Sequence, residues 1–201
     1  MVSPPSLQPG CFYHIYARGN NRENLFFEER NYEYFINLYV RHIPPVADTY
    51  SYCLMRNHLH LFVRIKDEEE TLEVSKTFRV FDEASRAFGN LFNAYAKAIN
   101  KAYNRTGSLF EHPFGRKAIT ENSHFTWLVA YIHQNPQKHG FVTDFRQWPY
   151  SSLRALNSSD PTFLNRKDIH SWFGGYEGLL SLHQIAPENE KFAKLGISDF
   201  D

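Results

Sequence analysis

Hydrophobic and polar positions along the chain divide it into strands and helices with few ambiguities. Residues 11–17 (Cys-Phe-Tyr-His-Ile-Tyr-Ala) are aromatic and β-prone and predict a first strand, broken by the turn residues Gly19, Asn20 and Asn21. From Glu28 to His42 the apolar residues Tyr32, Phe35, Ile36, Tyr39 and Val40 fall at helical spacing, and Pro44 and Pro45 stop the pattern. Residues 47–55 and 58–65 read as two strands joined by a tight turn at Arg56-Asn57, a hairpin. The acidic run Asp67 to Glu70 predicts a solvated loop or helix start. A long helix is expected over 76–103, with Phe78, Phe81, Ala84, Phe88, Leu91, Phe92, Tyr95 and Ile99 on one stripe. Residues 108–119 form another β-like stretch, and Pro113 and Gly115 make it an edge strand or a bent one.

Asn122 or Ser123 can cap a further helix through Trp127, Leu128, Tyr131 and Ile132 toward Asn135-Pro136, with Gly140 closing the segment. Residues 145–201 show short helical pieces and polar turns. The order β, α, β, β, α, β, α predicts an α+β fold: a ferredoxin-like antiparallel sheet with helices packed on one face. The expected organisation is one main domain over 1–155, with 156–201 as a C-terminal extension packed on it.

Composition narrows the class without choosing a function. With 201 residues, 42% of them hydrophobic and 22% charged, the chain suits one well-buried core and is not a disordered polymer. No apolar run approaches the roughly 20 residues of a membrane span, and Met1 to Gln8 lacks a basic-then-apolar signal, so a cytoplasmic protein is expected. Two cysteines, Cys11 and Cys53, are too few for a disulfide scaffold or a cysteine-rich zinc site. The 22 basic residues are balanced by 22 acidic ones, which argues against a broad footprint on duplex DNA. The 18 Phe, 12 Tyr and 3 Trp suit either core filling or base stacking on single strands.

Candidate chemistry sits in two segments. In Asn57-His58-Leu59-His60-Leu61-Phe62-Val63-Arg64-Ile65 the strand period puts both histidines on one face and Leu59, Leu61, Val63 and Ile65 on a core-facing one. Two imidazoles about 7 Å apart along a strand are either a structural pair or two ligands for one divalent cation. In Tyr131-Ile-His-Gln-Asn135-Pro136, Tyr131 and Asn135 are i and i+4 and share a helical face. They either pack and end the helix before proline, or present a phenol and an amide oxygen to one ligand. His133, about 200° around the helix from Tyr131, is poorly placed as a third ligand.

Together these segments resemble the single-tyrosine HUH endonucleases, and within them the REP-associated tyrosine transposases and their insertion-sequence relatives. Tyr16-Ala-Arg-Gly-Asn-Asn-Arg22 is similar to the family's first strand and turn, and Met55-Arg-Asn-His-Leu-His60 to its metal strand. Tyr131 through Gly140 and Trp148-Pro-Tyr-Ser-Ser152 are similar to its nucleophile helix and exit segment. The likeness covers about residues 10–155. It implies cleavage and rejoining of single-stranded, hairpin-forming DNA through a 5′-phosphotyrosine. By the same likeness Tyr131 is the nucleophile, and His58, His60 and Asn135 hold a divalent metal, Mg²⁺ or Mn²⁺, with a homodimer supplying two sites. Asn at position 135, where insertion-sequence relatives often carry Gln, favours the REP-associated branch. The mixed nitrogen and oxygen donors suit Mn²⁺ better.

DNA contacts are expected from two places. The stretch 97–119 carries Lys97, Lys101, Arg105, Arg116 and Lys117 against Glu111 alone, a strip able to track phosphates. Arg18, Asn20 and Arg22 on the first turn are the second candidate group. Two rival functions remain: a non-cleaving single-strand-binding module of transposase origin, and a metal-dependent nuclease in which water attacks.

Overall fold

The computed structural model describes residues 6–67, 80–111 and 114–185. Strands β1 (Phe12–Arg18), β2 (Ala47–Leu54), β3 (His58–Ile65) and β4 (Gly115–Ile119) form one antiparallel sheet in the order β2-β3-β1-β4. Helix α1 (Glu29–His42) links β1 to β2, and α2 (Val80–Ala102) lies between β3 and β4 in the chain. This is the βαββαβ arrangement of a ferredoxin-like unit. The α+β class and the antiparallel sheet are as the sequence predicts.

The strand period explains how the sheet serves two cores. Ile15 and Ala17 of β1 and Leu59, Leu61 and Val63 of β3 are buried with Phe35 and Tyr39 of α1 and Phe88, Leu91 and Tyr95 of α2. The intervening residues face the other way. Phe62 joins Leu128 and Ile132 of α3 (Asn122–Lys138) in a second core. The helices of the ferredoxin-like unit therefore share one face, as expected, while α3 crosses the opposite one.

That second core also takes in Leu153 and Leu156 of α4 (Leu153–Asn157), Ile169 of α5 (Arg166–Phe173) and Leu179 of α6 (Tyr176–Ile185). The Trp148–Ser152 segment runs along the outer edge of β2: Leu54 N–H donates to Tyr150 O and Ser152 N–H to Tyr52 O, each at 2.9 Å. The edge is thereby paired and protected from a foreign strand.

Two elements differ from expectation. Within 108–119 only Gly115–Ile119 is strand, while Phe110 makes a single bridge to Gly19. Helix α3 does not end before proline but runs through Pro136. It closes at Gly140, which is left-handed (φ 71°), with Phe141 N–H donating to Pro136 O at 2.8 Å and Gly140 N–H to Gln137 O at 3.0 Å. These paired bonds satisfy terminal carbonyls in the manner of a Schellman ending. The predicted stripe residue Phe78 and the acidic residues 68–70 lie outside the described residues.

Candidate active site

The position of His58 is set by the turn that precedes it. Met55 N–H donates to His58 O at 2.8 Å across the hairpin, Gly19 N–H donates to Asn57 O at 2.8 Å, and Leu25 and Phe26 N–H both donate to Arg56 O. Gly19 is required by the tight turn that follows it, because a Cβ there would lie 1.9 Å from Glu23 O. His58 and His60 share a face and are 4% and 2% exposed, with ring centroids 5.2 Å apart.

Each imidazole has a partner that fixes its orientation. His58 Nδ1 lies 2.7 Å from Asn57 Oδ1. A carboxamide oxygen only accepts, so Nδ1 carries the proton and Nε2 keeps the ligating lone pair. His60 Nδ1 lies 2.9 Å from His14 Nε2, in rings stacked at 19°. Burial pushes the His60 pKa well below its ordinary value, with a further push from the neighbouring histidines and Lys138. Burial, and then Lys117, bring His14 down to about 3. Both rings are neutral at physiological pH, the form that binds metals.

Helix α3 lays its chemistry over this pair. The Tyr131 ring, 2% exposed, stands edge-on to His60 with centroids 5.5 Å apart and to His14 at 6.2 Å. The Lys138 ammonium lies 5.6 Å from the centre of the Tyr131 ring. Two turns beyond Tyr131, His139 meets His58 at 4.7 Å. Asn135 lies on the helix between these contacts and is fully buried. Its Nδ2 donates to Tyr131 O at 2.9 Å. That bond fixes the amide's orientation and leaves Oδ1 as a buried acceptor with no hydrogen-bond partner. Among the described residues no group of three or more His, Cys, Asp or Glu forms a metal cage. A divalent ion at the histidine pair needs another kind of donor, and the unsatisfied amide oxygen of Asn135 has that chemistry.

The basic candidates separate. Arg18 is paired opposite His58, and Lys117 opposite His14, on the histidine face. Asn20 and Arg22 form the turn after β1 (Asn20–Arg22), at the His58 end of the sheet. Arg105 ion-pairs with Glu23 close to that turn. Arg116 is elsewhere: paired opposite Ile15, it donates to Ser85 Oγ of α2 at 3.2 Å and stacks 4.3 Å over Phe114. It sits on the face away from the histidines because neighbouring strand positions point oppositely. His133 turns from Tyr131, as its helical angle predicts, and bonds to His183 and Ser152. His14, Lys138 and His139 are absent from the sequence-derived site. Only the strand pairing and the helix crossing bring them to it.

A ferredoxin-like sheet bearing a His-Leu-His strand, crossed by a helix with one tyrosine over the histidines, is the class of site that the motifs resemble. Within that class the likeness is to REP-associated tyrosine transposases, and it is borne out in sequence and in fold. A protein of Haemophilus influenzae named as a REP-associated tyrosine transposase is 23% identical over 106 residues, covering 53% of this chain and 58% of that protein. The match thus spans little more than half the length of that relative. A solved structure, described as a REP-associated tyrosine transposase bound to a REP hairpin, matches with a TM-score of 0.60 and 17% identity, covering 79% of this chain and 86% of that one. At that identity the structural match speaks for the fold. No family model matches the chain. Among the described residues no helix is long and apolar enough to cross a membrane.

Proposed function

We propose that this protein cleaves and rejoins single-stranded, hairpin-forming DNA, with Tyr131 as nucleophile and His58, His60 and Asn135 as ligands of one divalent ion, Mg²⁺ or Mn²⁺. The observation that carries the reading is the buried tyrosine set against the histidine pair, one helical turn from an amide oxygen that has no partner. When bound, the ion supplies Lewis-acid polarisation of a non-bridging phosphate oxygen. Tyr131 Oη forms a bond to phosphorus as the bond to the 3′ oxygen breaks, leaving a 5′-phosphotyrosine and a free 3′-hydroxyl. The reverse attack by a 3′-hydroxyl restores the phosphodiester and the phenol, so the bond energy is kept and no nucleotide cofactor is consumed. The phenol gives up its proton in the attack and the departing 3′ oxygen takes one up, so the protons balance over the step; the Lys138 ammonium stands 5.6 Å from the ring centre. Because the ring is buried, a phosphate reaches the hydroxyl only if its cover moves. Arg18 and Lys117, on the same face, are proposed to hold flanking phosphates, and Asn20, Arg22 and Arg105 to extend that path. A single Tyr131 makes one attack at a time, so a homodimer would serve a coupled strand exchange.

The test is a denaturing gel of end-labelled single-stranded hairpin DNA incubated with Mn²⁺ and either wild type or Tyr131→Phe. A slow-migrating covalent band with wild type, absent with the phenylalanine variant while DNA binding persists, is expected. Undiminished cutting by the variant would assign the attack to water. Binding by wild type without any cutting would leave a single-strand-binding module.

A further inference from the structure

Beside the proposed ligands lies a third buried imidazole, His14 of β1, placed by the antiparallel register directly opposite Phe62. It is 2% exposed. Its Nε2 meets His60 Nδ1 at 2.9 Å, the rings stack with centroids 5.0 Å apart, and its Nδ1 is buried without a hydrogen-bond partner. The next residues on this face of β1 are Phe12 and Tyr16, and an apolar ring at position 14 would fill the same space. Burying an imidazole with one nitrogen unsatisfied costs free energy that such a ring would not. Its geometry toward His60 is therefore the property that distinguishes it from filler.

We propose that His14 is the positioning residue for His60, accepting a hydrogen bond from His60 Nδ1–H so that the unprotonated Nε2 is presented to the divalent ion. The inference rests on the metal reading above. Asn57 serves His58 in the same way, so both ligand rings would be oriented from behind by an acceptor on Nδ1. One acceptor is the adjacent residue in the chain. The other comes from a strand 46 residues away. Outer partners of this kind fix the tautomer and rotation of a ligating histidine, and their loss typically weakens metal binding by about 10- to 100-fold.

The experiment measures Mn²⁺ binding from the free-ion paramagnetic resonance signal, without DNA, for wild type, His60→Ala, His14→Phe and His14→Gln. Saturable binding by wild type, its loss in His60→Ala, a 10- to 100-fold weaker affinity in His14→Phe and recovery to within several-fold in His14→Gln are expected. Glutamine rescues because its amide oxygen can accept from Nδ1. Binding by His14→Phe within twofold of wild type, with His60→Ala defective, would overturn the role of His14 and leave the metal reading standing. Absence of saturable binding by wild type would overturn both. Imidazole ¹⁵N spectra of metal-free wild type decide the matter if His14→Phe does not fold. A proton on His60 Nδ1 supports the assignment, and a proton on its Nε2 overturns it.

Discussion

Acid should unfold this protein through its buried histidines, and His133 isolates the effect away from the candidate site. Its proton positions follow from one constraint. His183 Nδ1 lies 2.6 Å from Leu179 O, and a carbonyl only accepts, so His183 carries its proton there. His183 Nε2 must then accept, and the 3.0 Å contact makes His133 Nδ1 the donor. His133 Nε2 accepts in turn from Ser152 Oγ at 2.7 Å, while Tyr52 N–H donates to Ser152 Oγ at 2.9 Å. Every link is satisfied with both rings neutral, and burial pushes His133 well below its ordinary pKa and His183 down as well. The unfolded chain protonates near pH 6.5, so below that pH it binds protons that the folded protein refuses. Stability is fully present above about pH 6.5 and falls with decreasing pH until the lowered folded pKa is reached. At pH 5 one such histidine costs about 2 kcal/mol of folding free energy, a sizeable part of the ~5–15 kcal/mol that holds a typical domain. His133→Gln keeps a hydrogen-bonding amide but cannot titrate. Urea unfolding at pH 7.5 and 5.0, in chelator, should show the stability lost between these pH values shrinking by about 2 kcal/mol relative to wild type. Carboxylates common to both proteins cancel in the comparison. Equal losses in the two proteins would refute the neutral-histidine account.

Three further outcomes are expected. Gly115→Ala should lose about 1–3 kcal/mol in urea unfolding, because its Cβ would fall 1.9 Å from the Tyr16 ring that covers the glycine; the displaced ring would also press on His14, 5.0 Å away. His58→Ala should lower DNA cleavage and recover part of it at high Mn²⁺, as expected for a weakened ligand set and not for a lost nucleophile; a gel titration with Mn²⁺ checks it. Sedimentation at micromolar concentration should give the mass of two chains, plus that of the bound DNA when the hairpin is present, and a monomer with and without DNA would remove the case for paired sites.

The sequence is most informative where one element's own period carries the information. Leu59, Leu61, Val63 and Ile65 are buried toward α1 and α2 as their alternation with the histidines requires. The α1 pattern stops at the prolines, and Glu28 caps the helix in a reciprocal box with Asn31. Local rules fall short at three places. Asn135-Pro136 reads as a helix end, yet the helix continues. The carboxamide of Asn135 bonds to the Tyr131 carbonyl one turn back, and the chain closes only at the left-handed Gly140. The basic strip 97–119 is continuous in sequence but not in space, since Arg116 faces α2 while Lys117 lies opposite His14 on the other face. His14 has no local signature at all. Its meaning depends on β1 lying beside β3, a pairing that no periodicity in either strand encodes.

The two faces of the sheet divide the work between folding and chemistry, and that division explains why the site can afford unsatisfied groups. One face is an aliphatic and aromatic core closed by α1 and α2, and among the described residues it contains no buried histidine. Removing a large side chain from such a core typically costs ~2–5 kcal/mol. The opposite face interleaves Phe62 with His58 and His60 on β3, and Phe12 with His14 on β1. At its apolar end Phe12, Phe62, Phe125 and Trp172 pack ring against ring. At the other end lie three imidazoles, the tyrosine and the amide, with His14 Nδ1 and Asn135 Oδ1 both unsatisfied. The apolar end anchors α3 to the sheet through Leu128 and Ile132, so the polar end need not contribute to holding the helix. Variants at the apolar end should therefore lower the melting temperature, whereas substitutions of His14 or Asn135 should change it little and alter metal binding instead.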